Sequence, residues 1–192
     1  MIGEPVPIDL RLSNVTDLTE CLARGRHQTD GEAVDLLAHG LQTASLLAYV
    51  APGDVELQVA GLVHDIGTLM EPNRPVQHAR TGADAVESLL GRRVAALVGA
   101  HDDAKRYLVA VEPAYAAALS PRSVATLGAQ GGPMSSAECA AFRARPDFDD
   151  LLRLRRADDA AKVPGAFVPG IEAWVDALGV VAGVPVRQRS SR

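Results

Sequence analysis

The sequence has few cysteines, few aromatic residues and no long hydrophobic run. Its two cysteines, Cys21 and Cys139, are isolated, so we expect reduced thiols with no zinc or disulfide role. Aromatic residues make up 4% of the 192 residues and apolar residues 47%, with many Ala and Leu, which is typical of packed helices rather than of a β-sandwich. No run of about 18 apolar residues exists, which argues against a membrane-spanning helix.

An excess of positive charge is missing as well. The net charge of −5 argues against a nucleic-acid binder, which normally presents a basic face. The first five residues, Met1 to Pro5, lack the basic and apolar regions of a signal peptide, so we expect a cytoplasmic protein. Only two of the 19 basic residues are lysines, Lys105 and Lys162. Lys105 follows His101 by four residues, which indicates either a required ammonium group or a solvated surface lysine.

Apolar residues recur every three or four positions, which predicts an all-α chain with no sheet. A helix starting at Val55 carries His64 and Asp65 and is expected to end at Gly67. The other predicted helices are 15–24, 32–50, 78–91, 92–101, 103–111, 113–119, one after the capping pair Ser135 and Ser136, 147–162 and 171–178. We expect Ser13, Asp54 and Ser120 to be helix caps, 1–12 to be extended, 68–77 to be a loop and 128–134 to be a loop able to cover a pocket.

Histidines are distributed in an unusual way. Four of the five fall on four successive predicted helices: His39, His64, His78 and His101. A single imidazole on an apolar helix is more often a hydrogen-bonded core residue than a ligand. Four of them together with the pairs His64-Asp65 and Asp158-Asp159 favour a shared cation, since a cation would satisfy all of these groups at once.

The last long helix supplies a further carboxylate. Asp158 and Arg155 are three residues apart and share a helix face, while Asp159 points elsewhere. A solvated, salt-bridged helix is the alternative interpretation, but the neighbouring alanines leave room for close packing. Four nitrogens and two carboxylates exceed the needs of one zinc ion and suit iron or manganese; two ions bridged by Asp65 fit the count best.

These residues resemble the HD-domain superfamily, whose pattern is a His, a His-Asp pair and a distant Asp. Here the pattern is His39, His64-Asp65 and Asp158, and the additional His78 and His101 resemble the members that hold two metals. Flanking stretches are similar to the phosphonate-degrading HD-domain oxygenases. These stretches are 31–34, 39–44, 104–108, 130–134 and 153–162.

We expect a single-domain HD-type helical bundle at 31–180, preceded by a one-helix segment at 1–30 and followed by a disordered polar tail at 181–192, with the resemblance covering about 30–165. The resemblance implies two iron ions, Fe(II) and Fe(III), that use O2 to cleave the carbon–phosphorus bond of a 1-hydroxyalkylphosphonate, releasing phosphate and a carboxylic acid. The implied ligands are His39, His64, Asp65 and Asp158 for one iron and Asp65, His78 and His101 for the other. The implied substrate contacts are Lys105, Ser123 and Arg155 for the phosphonate and Glu32 for an amino end.

Two positions depart from the family pattern. Thr29 stands where the aminophosphonate enzyme has a tyrosine, and Thr68 stands where it has a histidine. Both line the expected substrate site, and both replace a ring with a small hydroxyl, so we expect a wider and differently gated pocket.

Two other functions remain open at this stage. One is an HD-domain metal-dependent phosphohydrolase acting on a phosphoester, although Thr68 stands where many such enzymes have a lysine. The other is a non-enzymatic helical module whose histidines are structural or hold a regulatory metal.

Overall fold

The computed structural model describes residues 12–72 and 76–184, and this part of the chain is helical and contains no strand. It has ten α-helices and one 3₁₀ helix. They are α1 (Val15–Ala23), α2 (Leu36–Val50), α3 (Val55–Val63), α4 (Ile66–Met70), α5 (His78–Val111), α6 (Pro113–Ala118), α7 (Pro121–Ala129), α8 (Ser136–Arg143), α9 (Phe148–Ala160), the 3₁₀ helix Ile171–Trp174 and α10 (Val175–Val181). The predicted all-α class is confirmed.

The core lies between α2, α3, α5 and α9, which pack on one another. Leucines, valines and alanines from these helices form one continuous buried cluster, with α1, α4, α8 and α10 closing it from outside. Arg93 of α5 ties the bundle together at one end, because its guanidinium donates to Asp54 and Glu56 beside α3 and to Asp150 of α9. No helix in the described ranges is both long and apolar enough to cross a bilayer.

Several helix starts differ from the sequence prediction. Asn14 rather than Ser13 caps α1, because the Asn14 side chain accepts the backbone N–H of Asp17. The second helix begins at Leu36 instead of Glu32. The reason is that Asp35 is its N-cap, with a side chain that accepts the backbone N–H of Ala38. The predicted caps Asp54, Ser120 and Ser135 are confirmed.

The predicted end of the His64-Asp65 helix was wrong. Helix α3 stops at Val63, Asp65 occupies the N-cap position of α4, and Gly67 lies inside α4 rather than ending a helix. The physical reason for this glycine is close packing: a Cβ on Gly67 would clash with the backbone oxygen of His78. The missing side chain therefore lets α4 touch the start of α5.

Helix α5 is a hairpin rather than a straight rod. His78 and His101 are 23 residues apart, which would separate them by about 34 Å on a continuous helix, yet their Nε2 atoms lie 3.1 Å apart. The chain reverses at Gly91, whose φ of 84° and ψ of 168° favour glycine. The predicted break at Gly91 is confirmed, whereas the predicted break after His101 is wrong.

Two of the terminal predictions fall partly outside the described residues. The extended segment 1–12 lies outside the described residues except for Leu12, which is buried. The predicted tail starts at 181, but α10 reaches Val181, and 185–192 lie outside the described residues.

The reversal at Gly91 gives a test of the hairpin. Gly91 and Gly179 both have open space where a Cβ would stand, but only Gly91 has a positive φ. We expect Gly91→Ala to lower the free energy of unfolding by about 1 to 3 kcal/mol, because alanine is strained in that conformation. Urea unfolding followed by circular dichroism measures this.

The matched control is Gly179→Ala in α10, where alanine suits a helix interior and should raise stability by about 0.5 kcal/mol. Equal effects of the two substitutions would contradict a conformational role for Gly91.

Candidate metal centre

Four histidines and two aspartates meet at the centre of the bundle. His39 comes from α2, His64 from the end of α3, Asp65 from the α3–α4 junction and Asp158 from α9. His78 and His101 come from the two arms of the α5 hairpin. Five of these six residues are at least 92% buried, and Asp65 is intermediate.

The carboxylate of Asp65 lies between two pairs of imidazoles. Its Oδ2 atom is 3.6 Å from His39 Nε2 and 3.4 Å from His64 Nε2. Its Oδ1 atom is 3.2 Å from His78 Nε2 and 3.7 Å from His101 Nε2. Each oxygen therefore faces its own pair of nitrogens, which is the arrangement of a carboxylate that bridges two cations.

Backbone carbonyls fix the orientation of three of the rings. The Nδ1–H groups of His39, His64 and His101 donate to the carbonyl oxygens of Ala161, Gly61 and Val98, at 2.9, 2.9 and 2.7 Å. A carbonyl can only accept, so in the neutral imidazoles the Nε2 lone pair points to the centre, as metal ligation requires. His64 Nε2 is buried without any hydrogen-bond partner, which is costly unless an ion takes that place.

Two groups of residues bring their ligand atoms close enough to hold a metal ion: His39, His64 and Asp65 in one, and Asp65, His78 and His101 in the other. Asp158 also lies next to the first group, with Oδ1 3.1 Å from His39 Nε2 and Oδ2 3.6 Å from His64 Nε2. The donor set of imidazoles and carboxylates fits divalent or trivalent first-row metals.

Charges around the centre favour the ligating forms of most of these groups. Burial raises the pKa of Asp65, but the nearby imidazoles outweigh it and hold the pKa well below its usual value. Burial lowers the pKa of His101 to about 4, so that ring is neutral at pH 7. Burial also lowers the pKa of His39, but the hydrogen bond and charge of Asp158 outweigh burial and raise it to about 9. His39 must therefore lose a proton when a metal binds.

A cavity opens beside the metal centre and is lined by charged and hydroxyl side chains. Five of the six residues that the resemblance assigns to substrate line it: Glu32, Thr68, Lys105, Ser123 and Arg155. The sixth, Thr29, is exposed and is not part of the lining. Ser123 lies in the first turn of α7, where the Ser120 hydroxyl accepts its backbone N–H.

The guanidinium group of Arg155 is hydrogen-bonded to two carboxylates. Its Nη1 donates to Asp158 at 2.8 Å, and its Nε donates to Asp159 at 2.9 Å. Tyr115 donates to the same Asp159 oxygen at 2.6 Å, so Asp159 is held by Tyr115 and Arg155. The predicted shared face of Asp158 and Arg155 is confirmed, and Arg155 also fixes Asp158.

Sequence reasoning missed several residues of the cavity. Asp102 lies 3.7 Å from both His78 and His101 and 3.5 Å from Lys105. The sequence contains a second His-Asp pair, His101-Asp102, which could have pointed to Asp102. Lys162 also lines the cavity. It is one of only two lysines in the sequence, and this could have pointed to it. Of the expected covering loop, 128–134, only Gln130 lines the cavity, and Gly128 and Ala129 belong to α7.

Comparison with known families agrees with this site. The HD domain model matches residues 36–144, which begin at α2 and include every proposed ligand except Asp158. More than half of the chain is matched, and the chain belongs to the HD domain family.

Three individual relatives are similar to this chain over most of its length. A hydroxymethylphosphonate dioxygenase of Gimesia maris (strain ATCC 29201 / DSM 8797 / 534-30) is 35% identical to this chain. The match covers 83% of this chain and 84% of the length of the relative. The [1-hydroxy-2-(trimethylamino)ethyl]phosphonate dioxygenase (glycine-betaine-forming) of Leisingera caerulea is 33% identical over 72% of this chain and 74% of its own. The uncharacterized protein L432 of Acanthamoeba polyphaga mimivirus is 33% identical over 69% of this chain and 65% of its own.

The position of Asp65 between both groups gives a test by metal content. Asp65→Asn should lower the bound metal at both positions, since both groups share this carboxylate. His78→Ala should lower metal at one position and leave the other filled, because His78 belongs to one group. Elemental analysis of purified protein measures both.

His27→Asn is the control, since His27 is the one histidine outside the centre and is exposed. Asparagine also tolerates its φ of 66°. Unchanged metal content in Asp65→Asn would contradict the bridging arrangement.

Proposed function

We propose that this protein is a di-iron oxygenase that uses O2 to cleave the carbon–phosphorus bond of a 1-hydroxyalkylphosphonate. The reaction consumes one O2 and converts RCH(OH)PO₃²⁻ to a carboxylic acid and phosphate. The observation that carries the proposal is Asp65, whose two oxygens face two separate pairs of imidazoles beside a cavity with ammonium and hydroxyl donors. The names of the two dioxygenase relatives supply the reaction.

The six proposed ligands are His39, His64, Asp65, His78, His101 and Asp158. They would hold two irons, one Fe(II) and one Fe(III), with Asp65 between them. When bound, the irons supply the one-electron and oxygen chemistry that no side chain can perform. Iron rather than zinc is proposed because the reaction activates O2, and zinc has no redox chemistry.

The side chains of the cavity would bind and orient the phosphonate. Lys105 has its Nζ 3.0 Å from Thr126 Oγ1, which accepts from it, and burial lowers the Lys105 pKa although Asp102 opposes this. Ser123 contributes a hydroxyl in the first turn of α7. A dianionic phosphonate suits this combination of an ammonium, a hydroxyl and a helix start. Arg155 would contribute mainly by fixing Asp158.

The burial of the centre would protect the reaction from bulk water. His64 and His101 are 0% and 1% exposed, and the cavity lined by Asp65 and Lys105 would give a substrate access to the centre. Holding C1 and its hydrogen at this mouth would supply the orientation on which the reaction depends.

The expected result is release of phosphate from a 1-hydroxyalkylphosphonate in air, with one O2 consumed per phosphate, and no release under nitrogen. An oxygen electrode and a phosphate assay on the same sample measure this. Equal rates with and without air would contradict an oxygenase.

The second candidate is a metal-dependent phosphohydrolase, which the same ligand set could support. It predicts cleavage of a phosphoester such as p-nitrophenyl phosphate under nitrogen, with activity in manganese. Hydrolysis of the phosphoester without oxygen, together with no action on 1-hydroxyphosphonates, would establish this candidate instead.

Lys105 gives a test at residue level. Lys105→Met should lower kcat/KM for the phosphonate by roughly a hundredfold, because a buried ammonium that meets the dianion is lost. The control is Arg80→Met on the same helix, where the arginine side chain is 88% exposed and the expected change is within about twofold. Equal rates for wild type and Lys105→Met would exclude Lys105 from phosphonate binding.

A further inference from the structure

The acidic residues of the cavity fall into two kinds. Asp65 and Asp158 are the proposed metal ligands. The other three are Asp30, Glu32 and Asp102. Each of these three is paired with a basic side chain that also lines the cavity.

The oxygen–nitrogen distances show that each acidic group lies next to a basic group of opposite charge. Asp30 lies 3.3 Å from Arg122 Nε, Glu32 lies 2.9 Å from Lys162 Nζ, and Asp102 lies 3.5 Å from Lys105 Nζ. The Glu32–Lys162 pair is the tightest of the three. Both of its side chains are about 85% buried, at 14% and 15% exposure, so solvent screens the pair little.

One oxygen of Glu32 accepts from a hydroxyl as well as from the lysine. This oxygen, Oε1, accepts from Lys162 Nζ and also from the Ser120 hydroxyl, at 2.6 Å. Lys162 in turn donates to the Ser123 hydroxyl at 3.3 Å. The ammonium of Lys162 therefore stands beside the carboxylate that could otherwise receive a cationic group of a substrate, and it connects that carboxylate to Ser123.

We infer that this protein takes 1-hydroxyalkylphosphonates whose carbon chain carries no positive charge, because Lys162 supplies the ammonium that Glu32 binds. This rests on the proposed function and specifies its substrate class. An ammonium on the substrate would have to compete with Lys162 for Glu32, and Asp30 and Asp102 are likewise paired with Arg122 and Lys105.

The test separates charge from size by using two substrates of nearly equal volume. 1-Hydroxypropylphosphonate and 2-amino-1-hydroxyethylphosphonate differ by a methyl group in place of an ammonium group. Titration calorimetry of the metal-loaded protein under nitrogen gives both dissociation constants without turnover. We expect the uncharged compound to bind roughly tenfold more tightly or better.

Two variants move this preference in opposite directions. Lys162→Met frees Glu32 and should lower the ratio of the two affinities by roughly tenfold, whereas Glu32→Gln leaves Lys162 unpaired and should raise it. Lys162→Arg keeps the charge and should keep the order of preference. A merely structural role for the pair would weaken both ligands equally and leave the ratio unchanged, which would overturn the inference.

The same measurements distinguish this inference from the proposed function. Tighter binding of the ammonium compound by the wild-type protein overturns the inference and leaves the oxygenase intact. Binding in the expected order without oxygen-dependent phosphate release overturns the oxygenase and supports the charge preference. Failure of both compounds to bind overturns both, and thermal unfolding of each variant shows whether a changed ratio comes from folded protein.

Discussion

The structure depends on one partly buried carboxylate surrounded by imidazoles. Asp65 contacts four histidines that come from three different helices, and their rings place nitrogens on both of its oxygens. Burying so many polar groups in an apolar bundle is unfavourable unless they share a charge that neutralises them. The carbonyl contacts of the rings and the packing of α4 on α5 serve to hold this arrangement. The core is therefore built around a polar centre as much as around its leucines.

Much of this arrangement could be predicted from the sequence. The spacing of apolar residues gave the helices, and four histidines on successive helices together with Asp158 indicated a shared centre. The caps at Asp54, Ser120 and Ser135 were also predictable, because side-chain caps depend on neighbouring residues alone. The break at Gly91 was predicted as the end of one helix and the start of the next, whereas the reversal of the chain there was not predicted.

The remaining features depend on contacts between distant segments. The role of Gly67 could not be read locally, because its reason is the backbone of His78 on another helix. The pairing of Glu32 with Lys162 spans 130 residues, so no local pattern contains it. Helix α2 follows the cap Asp35 and does not start at Glu32. Glu32 contacts Ser120 at the start of α7 and also Lys162, and a helix that started at Glu32 would break both contacts.

The hairpin at Gly91 has a consequence for how the length of this chain can change. His78 precedes Gly91 by 13 residues and His101 follows it by 10. An inserted residue within either arm would turn its imidazole by about 100° and shift it by about 1.5 Å, which would take it out of reach of Asp65. Insertions and deletions that preserve the second pair of imidazoles are therefore confined to the tip around Gly91, or must add whole turns to both arms together.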